Sequence, residues 1–136
     1  MAKMNARIKE IFEKQGAIVL ATATRDGVPN VVPANAKKIL DDETILISDQ
    51  FFGKTLKNIQ QNPQVALTIW ENLEGYQIKG SVTIETSGKR FEETAQWIDG
   101  IGKALNLPLK SKGAVIIKIT AIYNVSPGPD AGKQMA

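Results

Sequence analysis

Lys54 and Thr55 stand where an apolar run gives way to an amphipathic one, in Asp49-Gln50-Phe51-Phe52-Gly53-Lys54-Thr55-Leu56-Lys57-Asn58. The run Thr44 to Ile47 before them reads as a strand, and the run ending at Asn62-Pro63 reads as a short helix. A lysine and a hydroxyl at a strand-to-helix junction make a candidate anion site. Unpaired backbone N–H groups and the positive end of the helix dipole point there. Gly53-Lys54-Thr55 matches the end of a Walker A loop, but Ser48 occupies the position of its first glycine. Phe51 and Phe52 are bulky for a loop that wraps phosphates, and no acidic strand end stands out for Mg²⁺. The pattern therefore argues against a P-loop nucleotidase. What survives is a simpler clasp: Lys54 as a point charge, Thr55 Oγ as a donor, and the N–H groups of the helix start. An ordinary helix start with an exposed lysine explains the same residues at least as well.

Other chemistry is sparse. The 136 residues include no cysteine and no histidine. That removes disulfides, thiolate catalysis, the commonest metal ligands and any Ser-His-Asp triad. No catalytic and no metal-binding residue is assigned. Asp41, Asp42 and Glu43 fall in a turn, and Glu92 and Glu93 fall on a solvated helix face. Trp70 and Trp97 could stack on a ring, although such residues more often serve a core or an interface. Val31-Val32-Pro33-Ala34-Asn35-Ala36 is more informative, because a proline-interrupted strand leaves backbone groups free. Its small side chains admit a flat ligand, and the Asn35 amide offers both a donor and an acceptor. Any redox chemistry must come from a bound cofactor.

The elements that position these residues follow from periodicity and punctuation. Ile8, Ile11 and Phe12 recur at helical spacing, which predicts a helix from about Ala2 to Lys14 closed by Gly16. Ala17 to Thr24 reads as a strand, and Asp26-Gly27 as a hairpin turn into a second strand from Asn30 to about Leu40, interrupted at Pro33. A third strand covers Thr44 to Ser48, the helix Lys54 to Gln61, and a fourth strand Gln64 to Glu71. Tyr76 to Thr86 alternates cleanly as a fifth strand, with Gly80 marking a bulge or close backbone approach. A helix from Lys89 to about Leu105 carries Phe91, Ala95, Ile98 and Leu105 as its apolar stripe, and Ala114 to Val125 is the last strand. Residues 126–136 read as an exposed, mobile tail. Six strands joined mostly by short turns, with three helices, argue for a mainly β, antiparallel barrel in one domain over residues 1–136.

The net charge of +3, from 17 basic and 14 acidic residues, is a weak argument for nucleic acid. No apolar run approaches a membrane span, and the N-terminus lacks the apolar core of a signal peptide. The expectation is a cytoplasmic protein with neither nucleic acid nor membrane as a partner.

In order and spacing the chain resembles the FMN-binding split-barrel family related to pyridoxamine 5′-phosphate oxidase, and its small stand-alone members in particular. The matching pieces are the opening helix, Ala21-Thr22-Ala23-Thr24, Asp26-Gly27-Val28-Pro29 and Asn30-Val31-Val32-Pro33. They continue with Ile45-Leu46-Ile47-Ser48, Lys54-Thr55-Leu56-Lys57-Asn58-Ile59, Asn62-Pro63-Gln64-Val65-Ala66 and Tyr76-Gln77-Ile78-Lys79-Gly80-Ser81-Val82. The resemblance implies a six-stranded antiparallel Greek-key split barrel that forms a homodimer, with non-covalent FMN along the interface. It implies that Lys54 and Thr55 grip the FMN phosphate and that Val32, Pro33, Ala34 and Asn35 face the isoalloxazine. Ser48, Asp49 and Gln50 are placed near the ribityl chain. The second strand lacks the arginine of the full oxidase pattern, which argues against vitamin B6 oxidation.

The function so implied is an FMN-binding oxidoreductase or electron-transfer flavoprotein, with donor and acceptor unspecified. The alternatives are a deazaflavin-dependent reductase and a non-catalytic flavin- or haem-binding protein.

Overall fold

The computed structural model describes residues 2–136. Helix α1 (Ala6–Lys14) starts at Asn5, whose side chain accepts from the Ile8 N–H. Its buried face is Ile8, Ile11 and Phe12, the residues that recur at helical spacing. Strands β1 (Ile18–Ala23) and β2 (Pro29–Ala34) form the expected Asp-Gly hairpin, with Gly27 at φ 90°. Next come β3 (Lys37–Asp41), β4 (Thr44–Asp49), α2 (Lys54–Gln61), β5 (Gln64–Glu71), β6 (Glu74–Glu85), α3 (Lys89–Leu105) and β7 (Gly113–Asn124).

The sheet is antiparallel throughout, in the order β2-β1-β5-β6-β7-β4-β3, and it curls into a half-barrel. The strands number seven, not six. The single strand expected over Asn30 to Leu40 is two, because the chain leaves one edge of the sheet and joins the other within it. Residues up to Ala34 pair with β1, and residues from Lys37 pair with β4. Asn35 and Ala36 bridge the two edges, so these two residues mark the split. Pro33 is tolerated because β2 is an edge strand and needs no second partner.

The core lies inside the curl. Ile18, Leu20, Ile45, Ile47, Leu67, Ile69, Ile78 and Ile117 line it, and α1 covers it with Ile8, Ile11 and Phe12. Every residue of β4 is buried, although alternation alone would bury every second one. The reason is that β4 is covered on both faces. Ile45 and Ile47 point into the core, while Leu46 joins Ala114 and Ile116 in a smaller cluster with Trp97 of α3. Gly80 sits at a bulge between β6 and β7, where an added Cβ would lie 2.6 Å from the Lys118 carbonyl oxygen. Residues 127–136 are exposed, and they are hydrogen-bonded to the end of β7 through Asn124 and Ile122. No helix among the described residues is long and apolar enough to cross a membrane.

Candidate functional site

The site forms where the two sheet edges meet. The end of β2, the Asn35-Ala36 bridge, the end of β4 and the segment leading to α2 enclose a cavity of about 590 Å³. Val32, Pro33, Ala34 and Asn35 form one wall, and Ser48, Gln50, Phe51 and Phe52 form another. Ile98, Ile101 and Leu105 of α3, with Leu109 beyond it, close the third side. The first two walls come together because the Ser48 N–H donates to the Ala36 carbonyl at 2.9 Å.

The expected site residues divide. Val32, Pro33, Ala34, Asn35, Ser48 and Gln50 share the cavity, whereas Asp49, Lys54 and Thr55 lie outside its walls. Asp49 is buried, and its Oδ1 accepts the Phe52 N–H at 3.0 Å, which shapes the turn into α2. Lys54 is exposed and forms no ion pair among the described residues. Gly53 precedes it at φ 54°, in the region that favours glycine, and no side chain caps the helix. Thr55 is fully buried, and its Oγ1 accepts from the Asn30 amide at 3.0 Å. The same Asn30 Nδ2 donates to Thr22 Oγ1 at 3.1 Å, and Asn58 Nδ2 reaches that oxygen at 3.1 Å as well. This buried network ties α2 to β1 and β2 and sets where Lys54 emerges.

The cavity is mostly apolar, and no ionisable side chain among the described residues lines it. The lysines following the bridge are engaged elsewhere. Lys37 Nζ donates to the Phe12 carbonyl at 2.6 Å in the last turn of α1, and burial lowers its pKa. Lys38 Nζ sits 4.2 Å over the Trp97 ring and pins α3 to β3. The polar groups left on the walls are the Asn35 and Gln50 amides and the Ser48 hydroxyl. Asn35 Nδ2 makes one long bond, 3.4 Å to the Gly16 carbonyl. Ser48 Oγ lies 2.7 Å from Ser111 Oγ. Gln50 Oε1 is buried without a hydrogen-bond partner. An orphaned acceptor on a cavity wall is a group that a ligand N–H would satisfy. No cluster of three potential metal ligands occurs among the described residues.

Sequence reasoning missed the third wall. Its only trace was the apolar stripe of α3, and such a stripe does not say whether it covers a core or a cavity.

Comparison with known proteins gives this geometry a context. The profile of the family described as Pyridoxamine 5′-phosphate oxidase matches residues 4–126. The chain belongs to the pyridoxamine 5′-phosphate oxidase family. It is 49% identical over 122 residues to an uncharacterised protein of Methanocaldococcus jannaschii, covering 88% of this chain and 79% of that one. Among solved structures, HupZ of Group A Streptococcus superposes with a TM-score of 0.79 at 26% identity, covering 95% of this chain and 99% of that one. An FMN-binding protein of Syntrophomonas wolfei superposes with a TM-score of 0.73 at 19% identity, covering 88% and 84%, a likeness of fold alone. The family seen in the ordered sequence pieces is thus the family to which the chain belongs.

Proposed function

We propose that this protein is an FMN-binding flavoprotein with oxidoreductase or electron-transfer activity. The observation that carries the reading is the cavity at the split: apolar walls, an orphaned Gln50 amide oxygen, and an uncapped helix start with an unpaired lysine nearby. A ring system such as isoalloxazine matches such walls, and its N–H edge matches the free acceptor. In this reading Val32 to Asn35 face the ring, while Ser48 and Gln50 meet its polar atoms and the ribityl chain. Lys54 takes the phosphate, and Thr55 holds the helix from beneath. Bound there, flavin supplies the electron chemistry that no side chain on the walls can supply. The protein binds and orients it, and it keeps the ring in an apolar setting. We place the cofactor at the interface of a homodimer.

The walls carry no cation that could hold a phosphorylated second substrate, which speaks against vitamin B6 oxidation. Haem fits poorly, because no histidine, cysteine, methionine, tyrosine or lysine lines the cavity to ligate its iron. An absorbance spectrum of the purified protein tests the reading. Flavin bands that bleach with a reductant and return in air are expected. A colourless protein that takes up no added FMN would overturn it. Displacement of FMN by a deazaflavin at lower concentration would redirect it to a deazaflavin reductase.

A further inference from the structure

The walls of the cavity at the split differ in kind. Its polar side chains, Asn35, Ser48 and Gln50, all belong to the bridge, the end of β4 and the residue after it. The third wall carries only aliphatic side chains, those of Ile98, Ile101, Leu105 and Leu109. We propose that this aliphatic wall binds the second substrate, and that it selects a flat, uncharged, apolar compound over an anionic one. This rests on the flavin reading above, which gives the polar walls to the isoalloxazine and the ribityl chain and leaves the aliphatic one to the molecule that meets the flavin.

Two features of the chain build this wall. Ile98, Ile101 and Leu105 recur at helical spacing and form one stripe of α3. Asp99 and Lys103 lie off that stripe and pair with each other at 3.1 Å, so neither charge reaches the cavity. The turn after α3 then adds Leu109. Asn106 is left-handed at φ 55°, and the Leu107 N–H returns to the Gly102 carbonyl at 2.8 Å. A Cβ at Gly102 would lie 2.8 Å from the Leu107 carbonyl oxygen and 3.3 Å from Leu109 Cβ. Glycine lets the chain fold back this closely, and the fold-back sets Leu109 beside the stripe. The opening of the cavity is apolar as well. Leu105 and Phe51 line it and are 60% and 78% exposed, so they stand at its mouth. An apolar compound that covers them takes that surface out of water. An anion brought to the same wall loses its hydration and meets no cationic or hydrogen-bonding side chain in return.

Two naphthoquinones, uncharged menadione and anionic naphthoquinone sulfonate, serve as probes. Each is titrated calorimetrically into the full chain saturated with oxidised FMN, so that binding is read without turnover. The same titrations use Leu105→Lys, which places a cation at the mouth, and Ala104→Lys, which places it on an exposed position outside the cavity walls. Both positions are exposed, and circular dichroism checks that both variants fold. The unaltered chain should hold menadione about tenfold or more tighter than the sulfonate. Leu105→Lys should reduce that preference about tenfold or more, because the sulfonate gains a counter-charge and menadione loses apolar contact. Ala104→Lys should keep the preference. Equal affinities of the two probes for the unaltered chain, no binding of menadione, or a preference that Leu105→Lys leaves unchanged or changes no more than Ala104→Lys does, overturns the proposal. Each of these outcomes leaves the flavin reading in place, because FMN uptake is measured first and separately. A chain that takes up no FMN fails the flavin reading and this inference with it.

Discussion

At the residue scale, the candidate site depends on which polar groups are exposed and which are buried and bonded within the fold. Lys54 is exposed, whereas Thr55 is buried with its Oγ1 accepting from Asn30, although the two are neighbours with the same apparent promise in sequence. Lys54→Ala should weaken FMN binding about tenfold or more by fluorescence titration, because a charge-assisted contact is worth roughly 1.5–3 kcal/mol. Lys57→Ala, on the same helix, should leave it within about twofold, since rim charges away from the ligand contribute little. Equal losses in the two variants would remove Lys54 from the site. The difference between Lys54 and Thr55 was not legible in the chain, because it is made by Asn30, which lies across the fold on β2. The free amide oxygen of Gln50 was equally invisible. Sequence spacing predicts neighbours along an element, whereas satisfaction of a buried polar atom depends on partners brought in by tertiary packing.

At the element scale, local patterns were legible wherever a single element decides them. The amphipathic α1, the Asp-Gly hairpin and the alternating β6 follow from period and turn chemistry. The break between β2 and β3 did not, because it depends on which edge of the sheet each half joins. Pro33 hinted at a break, but the chain crosses two residues later, at Asn35-Ala36. The attachment of α1 leads to a prediction about pH. Arg7 holds the Glu74 carboxyl below its usual range by a hydrogen bond, Lys14 does the same for Glu10, and the Glu43 N–H does so for Asp41. A depressed folded-state pKa gives stability that is present above the ordinary carboxylate range and lost as pH falls through the folded value. Tyr76 behaves oppositely at the alkaline end. Burial first, and then its bond to Glu74, raise its phenol from 10.0 to about 12. The folded state then holds that proton more tightly, so stability falls as pH climbs from 10.0 towards about 12. Thermal unfolding across pH should show a plateau between about 5 and 9 with a decline on both sides, and Tyr76→Phe should flatten the alkaline decline. An alkaline decline identical in Tyr76→Phe would contradict the assignment.

At the scale of the whole molecule, the fold leaves apolar surface for a partner. Trp70 and Leu73, at the β5–β6 turn, are 47% and 76% exposed, and Val125 beside Gly75 is 43% exposed. Val31, on edge strand β2, is 63% exposed. Tyr76 and Trp97, interface-type residues by their chemistry, are used within the chain instead. If the proposed homodimer uses this surface, sedimentation should give twice the chain mass and Trp70→Glu, which places a charge on it, should shift the equilibrium towards monomer. A monomer at every concentration would rule out a cofactor shared between protomers. The claim on which all three scales converge is that the cavity at the split holds the flavin ring. Titration of FMN into the unaltered chain and into Ala36→Phe, which fills the cavity from the bridge while leaving the Ala36 carbonyl in place, tests it most directly. The account predicts saturable quenching of FMN fluorescence by the unaltered chain and none by the folded variant. Equal binding by both, or by neither, would contradict it.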